Sequence, residues 1–300
     1  MLEDGLDGAY VAVPNDARLV DDEHRPLHRA CKTAGMDHPE TDGTETLLGG
    51  LGNEGRVVRV GHTVRRPIGP WTPAVHTLLR HLESVGFQGA PRVVGLDGET
   101  EMLTFIPGDV AIPPFPAWAA SDELLLSVAQ LQRRYHEAVI DFRPATNATW
   151  GQGPAPDEYA GTLVCHNDLC LENVVVRDGR AVGFIDFDFA SPVDPVWDIA
   201  IALRHWVPMW DPRDLGEHHS GLDKVERCRH FFNAHRLHRR ERIRTLDALL
   251  AFSDRALVFV RTQAESGHTG HRAQWDAGYE AKNRRAHAWV TNNRELLSGE

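Results

Sequence analysis

A chain of 300 residues with 42% hydrophobic and 25% charged residues is long and apolar enough to bury one large core or two modest ones. Its formal net charge of −11 at pH 7 argues against non-specific binding to nucleic acid or anionic membranes, and leans weakly toward a cationic or neutral small substrate. No apolar run approaches the roughly 18 residues of a membrane span, the N-terminus MLEDGLDGAY has no signal-peptide pattern, and Cys31, Cys165, Cys170 and Cys228 form no C-x-x-C pair, so a reduced, cytoplasmic protein is expected.

Residues 1–43 hold few large apolar residues, many Asp, Glu, Gly and Pro, and no period of 2 or 3.6. They are expected to be a disordered extension, with a translation start later than Met1 as the alternative. The character changes at Thr44. ETLLGGLGNEGRVVRVGHTVRRPI predicts an antiparallel meander: a strand, a Gly-rich turn, a strand ending near Val60, a turn at Gly61-His62 and a strand through Arg66. Gly49, Gly50, Gly52 and Gly55 free the backbone to approach a ligand and to expose N–H groups toward phosphate, although such a cluster also reads as an ordinary flexible hairpin.

A helix follows from Thr72 or Pro73 to about Val85, with Val75, Leu78, Leu79 and Leu82 on one face and Thr72 as its cap. Pro91 to Leu96 and Glu101 to Phe105 read as two more strands joined at Asp97-Gly98, and Ile106-Pro107-Gly108 ends the sheet. After a Pro/Trp-rich loop, Ser121 caps the amphipathic helix DELLLSVAQLQRRYHEAVIDF, on which His136 reads as structural. Beyond Trp197 a helix continues to about Pro208, a polar loop spans 211–221, and three helical segments follow: Lys224 to His235, Glu241 to about Glu265, and His271 to Leu297. The basic run Arg236 to Arg244 lacks interleaved stacking aromatics, so no nucleic-acid site is expected. His268 and His271 are expected to be exposed.

The chemistry concentrates in LVCHNDLCLENVVVRDGRAVGFIDFDFASPVDPVW, Leu163 to Trp197. Val174 to Val176 and Ala181 to Ile185 are short strands, and Asp178-Gly179 between them signals a tight hairpin. A hairpin returns the loop before it and the loop after it to the same end. Asp168, Asn173 and Asp186 then converge, with His166, Glu172 and Asp188 in the same loops. One carboxylate and one amide oxygen suit Mg²⁺, and a further carboxylate can accept the proton of an attacking hydroxyl. The alternative is an Asp/Asn-rich turn capped by its own side chains. Cys165 and Cys170 flank the loop as small buried thiols, since no His/Cys set at zinc-ligand spacing accompanies them.

His166-x-Asp168-x-x-x-x-Asn173, followed by Asp186-Phe187-Asp188 and by Asp194-Pro195-x-Trp197-Asp198, resembles the catalytic and metal-binding loops of the aminoglycoside phosphotransferase and choline kinase group of the protein-kinase-like superfamily. The resemblance implies an α+β, two-lobe kinase-like fold: a small antiparallel-sheet N-lobe over 44–108 and a larger, mainly helical C-lobe over 109–300. It implies an O-phosphotransferase that uses ATP or GTP and Mg²⁺ on a hydroxyl of a small molecule, such as an aminoglycoside-like antibiotic, an amino alcohol or a sugar. Asp168 would be the catalytic base, Asn173 and Asp186 the metal ligands, and Asp198 a buried brace for the catalytic loop. Gly49, Gly50, Gly52 and Asn53 would cover the phosphates, and Thr104 and Phe105 would form the hinge edge that meets the base.

Two features depart from that pattern. Lys32, Lys224 and Lys282 are the only lysines, so the strand lysine that meets the phosphates is missing, and Arg66, with Arg65 as second choice, is expected in its place. The following helix has no acidic residue before Glu83, so the glutamate that partners the lysine has no counterpart, and His76 is the one substitute to suggest itself. WTPAVHTLLRHLESVGF also resembles a bacterial subgroup labelled as phosphotransferases or toxin-immunity proteins. The alternative function is therefore a catalytically weak nucleotide-binding or immunity protein on the same scaffold.

Overall fold

β-Branched residues on either side of a glycine turn form the meander: β1 (Thr44–Thr46), β2 (Val58–Val60) and β3 (Thr63–Pro67) pair antiparallel, with Gly61 at φ +58. The computed structural model describes residues 44–47, 56–151 and 155–299. The expected N-terminal extension and the phosphate-loop candidates Gly49, Gly50, Gly52 and Asn53 lie outside the described residues. β4 (Val93–Asp97) and β5 (Thr100–Thr104) form a second hairpin, and β5 inserts beside β3, giving the order β1-β2-β3-β5-β4. The β3/β5 register sets Arg66 directly opposite Glu101.

Helix α1 (Thr72–Ser84) crosses this sheet, and its expected apolar face, Val75, Leu78, Leu79 and Leu82, is buried. Each fully buried leucine contributes about 1.5–3 kcal/mol. Thr72 is not the cap that was expected. Trp71 holds the N-cap position, and Thr72, already helical, accepts the Gly69 N–H on its Oγ1 at 2.9 Å.

The remainder is mainly helical. Ser121 caps α2 (Asp122–Ala138), its Oγ accepting the Leu124 N–H at 3.1 Å. Two short ladders carry the loops of interest: β6 (Leu163–Cys165) pairs with β9 (Ser191–Val193), and β7 (Val174–Arg177) with β8 (Arg180–Phe184). Asp194 caps α3 (Pro195–Trp206), whose Trp197 and Trp206 are buried with Tyr135, Phe184, Phe231 and Phe232. The long α5 (Arg239–Glu265) packs against α3, and α4 (Lys224–Ala234) packs against α2. A small antiparallel sheet joined to a helical body is the α+β, kinase-like architecture expected from the motifs.

The tail departs from expectation. The single segment His271 to Leu297 is three helices, α6 (Thr269–Asp276), α7 (Tyr279–Asn292) and α8 (Arg294–Ser298), because Gly278 adopts φ +82 and ends the first run, and the chain turns again at Asn293. His271, expected at the surface, is 1% exposed against Phe259. Among the described residues no helix is long and apolar enough to cross a membrane.

The link between sheet and helical body runs through Gly108. It sits at φ +150, and a Cβ there would lie 2.6 Å from the Val176 carbonyl oxygen and from Val175 Cγ1. Asp109 and Val176 exchange backbone hydrogen bonds of 2.8 and 2.7 Å beside it. Gly108→Ala is therefore expected to cost about 1–3 kcal/mol through overpacking and backbone strain. An unchanged denaturation midpoint would contradict this.

Candidate active site

The β7–β8 hairpin turns through Asp178 (φ +52) and Gly179 (φ +72), two consecutive positive φ values of the kind a type I′ turn requires. It brings its two flanking loops together as expected: the Ile185 N–H donates to the Asn173 carbonyl at 3.0 Å. Asn173 and Asp186 then line one wall of a cavity of about 450 Å³. Asp186 and Asn167 are both non-glycine residues at φ +61, strain of a kind that collects at functional sites.

Asp168 is 4% exposed and held by Asn173, whose Nδ2 donates to its carbonyl at 2.9 Å and to its Oδ2 at 2.8 Å. Burial raises the Asp168 pKa well above the usual carboxylate range, Asp186 and Glu172 push it further, and the Asn173 hydrogen bond opposes them. Burial alone lifts Glu172, another wall residue, to about 7. His166 is fully buried, donates from Nε2 to the Ile185 carbonyl at 3.0 Å, and is pushed down to about 4 by desolvation. It ties the two loops together as a neutral ring.

Beneath the loop, Asp198 accepts three hydrogen bonds: Oδ1 from the Asn167 N–H at 2.6 Å, and Oδ2 from Gln132 Nε2 at 2.8 Å and His136 Nε2 at 2.7 Å. Burial would raise its pKa, but the hydrogen bonds from His136 and Gln132 hold it below the usual value. The brace expected of Asp198 and the structural place of His136 are both present. Gln132 was not anticipated, because nothing local marks it.

Arg66, 8% exposed, lines the same cavity and touches the loop directly, whereas Arg65 does not share those contacts. Its Nη1 donates to Asp186 Oδ1 at 2.9 Å, its Nη2 to Asp188 Oδ1 at 2.6 Å, and its Nε to Glu101 Oε1 at 2.6 Å. His76 Nε2 donates to the other Glu101 oxygen at 2.7 Å. Burial alone would lower the Arg66 pKa; the carboxylates of Asp188, Asp186 and Glu101 outweigh it and raise it. The acid that partners Arg66 thus comes from β5, not from the helix after β3, and His76 meets that acid instead of replacing it.

Thr104 and Phe105 do line the cavity, yet their N–H groups are engaged: Thr104 donates to the Arg92 carbonyl at 2.9 Å and Phe105 to that of His62 at 2.8 Å. The Arg59 guanidinium covers the Phe105 ring at 3.9 Å. The cavity lining mixes apolar residues, among them Val64, Leu103, Ile106, Val175 and Ile185, with polar ones, among them Arg66, Glu172, Asn173 and Asp186. Its size and mixed lining are those of a small-molecule site. The donors also fit a hard cation: Asn173 spends its NH₂ on Asp168 and so offers its amide oxygen, beside the Asp186 carboxylate.

Residues 153–232 match the model of the phosphotransferase enzyme family. The trifolitoxin immunity protein of Rhizobium leguminosarum bv. trifolii is 30% identical over 261 residues, 82% of this chain and 95% of that protein. The N-acetylmuramate/N-acetylglucosamine kinase of Caulobacter vibrioides is 29% identical over 126 residues, 38% of this chain and 30% of that kinase. Among solved structures, a choline/ethanolamine kinase family protein from Mesorhizobium loti shares the fold with a TM-score of 0.57, covering 86% of this chain and 92% of that one at 16% identity.

Proposed function

The chain belongs to the phosphotransferase enzyme family, and on that premise we propose that it transfers the γ-phosphoryl group of ATP or GTP to a hydroxyl of a small molecule. One observation carries the reading: Asp168, Asn173 and Asp186 meet at one end of a hairpin, with a buried arginine bonded to Asp186 in the lining of the same cavity. The nucleotide lies between an N-lobe of about 44–108 and a C-lobe of about 109–300, its base against Val64, Leu103 and Val175.

Asn173 and Asp186 would hold Mg²⁺, which when bound would supply charge neutralisation at the phosphates. Asp168 receives the acceptor's proton on Oδ1, since Oδ2 is held by Asn173. Burial raises its pKa, which strengthens the carboxylate as a proton acceptor. Arg66 offers its two Nη groups to phosphate oxygens, a bidentate fit. The Caulobacter relative is an amino-sugar kinase by name, which supports a hydroxylated metabolite as acceptor. Use of a nucleoside triphosphate supports a cytoplasmic location for the reaction.

A second reading, a catalytically weak nucleotide-binding or immunity protein, is favoured by the closure of Arg66 on Asp186 and Asp188 and by the name of the relative that matches 82% of the chain. A thermal-shift titration with ATP, GTP and Mg²⁺, followed by turnover with a panel of hydroxylated acceptors, separates the two. Metal-dependent stabilisation of about 2.7 kcal/mol is expected at a hundredfold excess over Kd. Asp186→Ala should abolish it by removing a metal ligand. No shift with either nucleotide would sink the phosphotransferase reading.

A further inference from the structure

The structure assigns to Glu101 the task of positioning Arg66 for phosphate, an inference that rests on the phosphotransferase reading. Arg66 and Glu101 are cross-strand neighbours in the β3/β5 register, and Glu101 is 1% exposed. An acid directly opposite an arginine on paired strands needs no long side-chain excursion to reach it. Glu101 takes Nε, the inner nitrogen, at 2.6 Å, and this leaves the two-pronged Nη end for the opposing loop, where it meets Asp186 and Asp188.

The second oxygen of Glu101 is occupied by His76, which comes from α1 on the other side of the acid. The carboxylate is thereby held between a strand and a helix, and it fixes both the depth and the plane of the guanidinium. In this structure the Nη end meets Asp186 and Asp188, two carboxylates whose oxygens occupy the same fork geometry as two phosphate oxygens. Three carboxylates around one guanidinium also leave an excess of negative charge, so a cation at Asp186 complements Arg66 instead of competing with it. With Nε anchored to Glu101, the Nη groups exchange carboxylate for phosphate oxygens while the guanidinium stays tied to β5. Glu101 is thus a positioning residue, supplied by a strand where the resemblance points to a helix.

The test compares two ligands on the full chain, a non-hydrolysable ATP analogue with Mg²⁺ and adenosine, each titrated against wild type and Glu101→Gln, with melting temperatures of the free proteins measured alongside. Glu101→Gln is expected to weaken the analogue about tenfold, or about 1.4 kcal/mol, and to leave adenosine within about twofold, because only the phosphate end depends on Arg66. If the Gln variant does not fold, Glu101→Asp, which keeps the charge and withdraws it from Nε, should show the same selectivity. Equal loss of both ligands, or no loss of the analogue, would overturn the positioning role while leaving the phosphotransferase reading standing. Failure of the wild type to bind either ligand would remove that reading and the positioning role with it.

Discussion

Asp168→Asn is expected to lower phosphoryl transfer about 10²–10⁴-fold, the range that a positioned general base supplies, while nucleotide affinity stays within about threefold. The amide has the shape of the carboxylate and can still accept from Asn173 Nδ2, so the loop keeps its form. What is lost is the capacity to take a proton from the acceptor hydroxyl. Affinity is spared because the cavity wall at this point is made by Glu172, Asn173 and Asp186, with Asp168 reached through Asn173. Initial rates with an acceptor that turns over, measured beside nucleotide titrations, check both halves. A fully active variant would refute the assignment; Asp186→Ala, by contrast, should act on nucleotide affinity.

Asp198→Ala is expected to destabilise the protein by about 3–5 kcal/mol, the loss typical of removing one partner from a buried, charged hydrogen-bonded group. The Asn167 N–H, Gln132 and His136 all donate to this one carboxylate, and the cavity left behind cannot satisfy them. Since the Asn167 N–H anchors the loop one residue before Asp168, turnover should fall together with stability. The pH dependence follows from the lowered pKa of Asp198. The folded form keeps this carboxylate ionised where the unfolded chain, near about pH 4, already binds a proton. Its stabilisation is therefore complete above that value and fades as pH falls further, and Asp198→Asn should remove that part of the acid sensitivity. Urea midpoints at neutral and acid pH measure both effects, and a variant as stable as wild type would contradict the bracing role.

The β7–β8 hairpin and the loops at its ends were legible because everything that makes them is local. Asp178-Gly179 supplies two positive φ values, Val174 to Val176 and Ala181 to Phe184 supply the strands, and the spacing of Asp168, Asn173 and Asp186 follows from the hairpin's length. Helix α2 was legible for the same reason, from the Ser121 cap and its leucine period. Arg66 was expected from the family resemblance, which calls for a cation on the third strand, together with the absence of any lysine between Lys32 and Lys224. The breaks that divide the C-terminal segment were marked only weakly, since Gly278 carried a local signal that the surrounding helical composition masked.

Glu101 belongs to another category. β3 and β5 are separated by α1 and β4, and no local rule sets the register between strands so far apart. Only the assembled sheet places residue 101 opposite residue 66, and only the packing of α1 brings His76 against the same acid. Gln132 reaches Asp198 across 66 positions for the same reason. The engaged amides of Thr104 and Phe105 depend likewise on where Arg92 and His62 fall in the folded sheet. Turn chemistry, caps and motif spacing are short-range properties of covalent geometry and side-chain type, so the order of residues carries them. Which distant charges share a buried space is set by the packing of the whole chain, and here that packing chose Glu101 as a partner of Arg66, which meets the candidate metal loop.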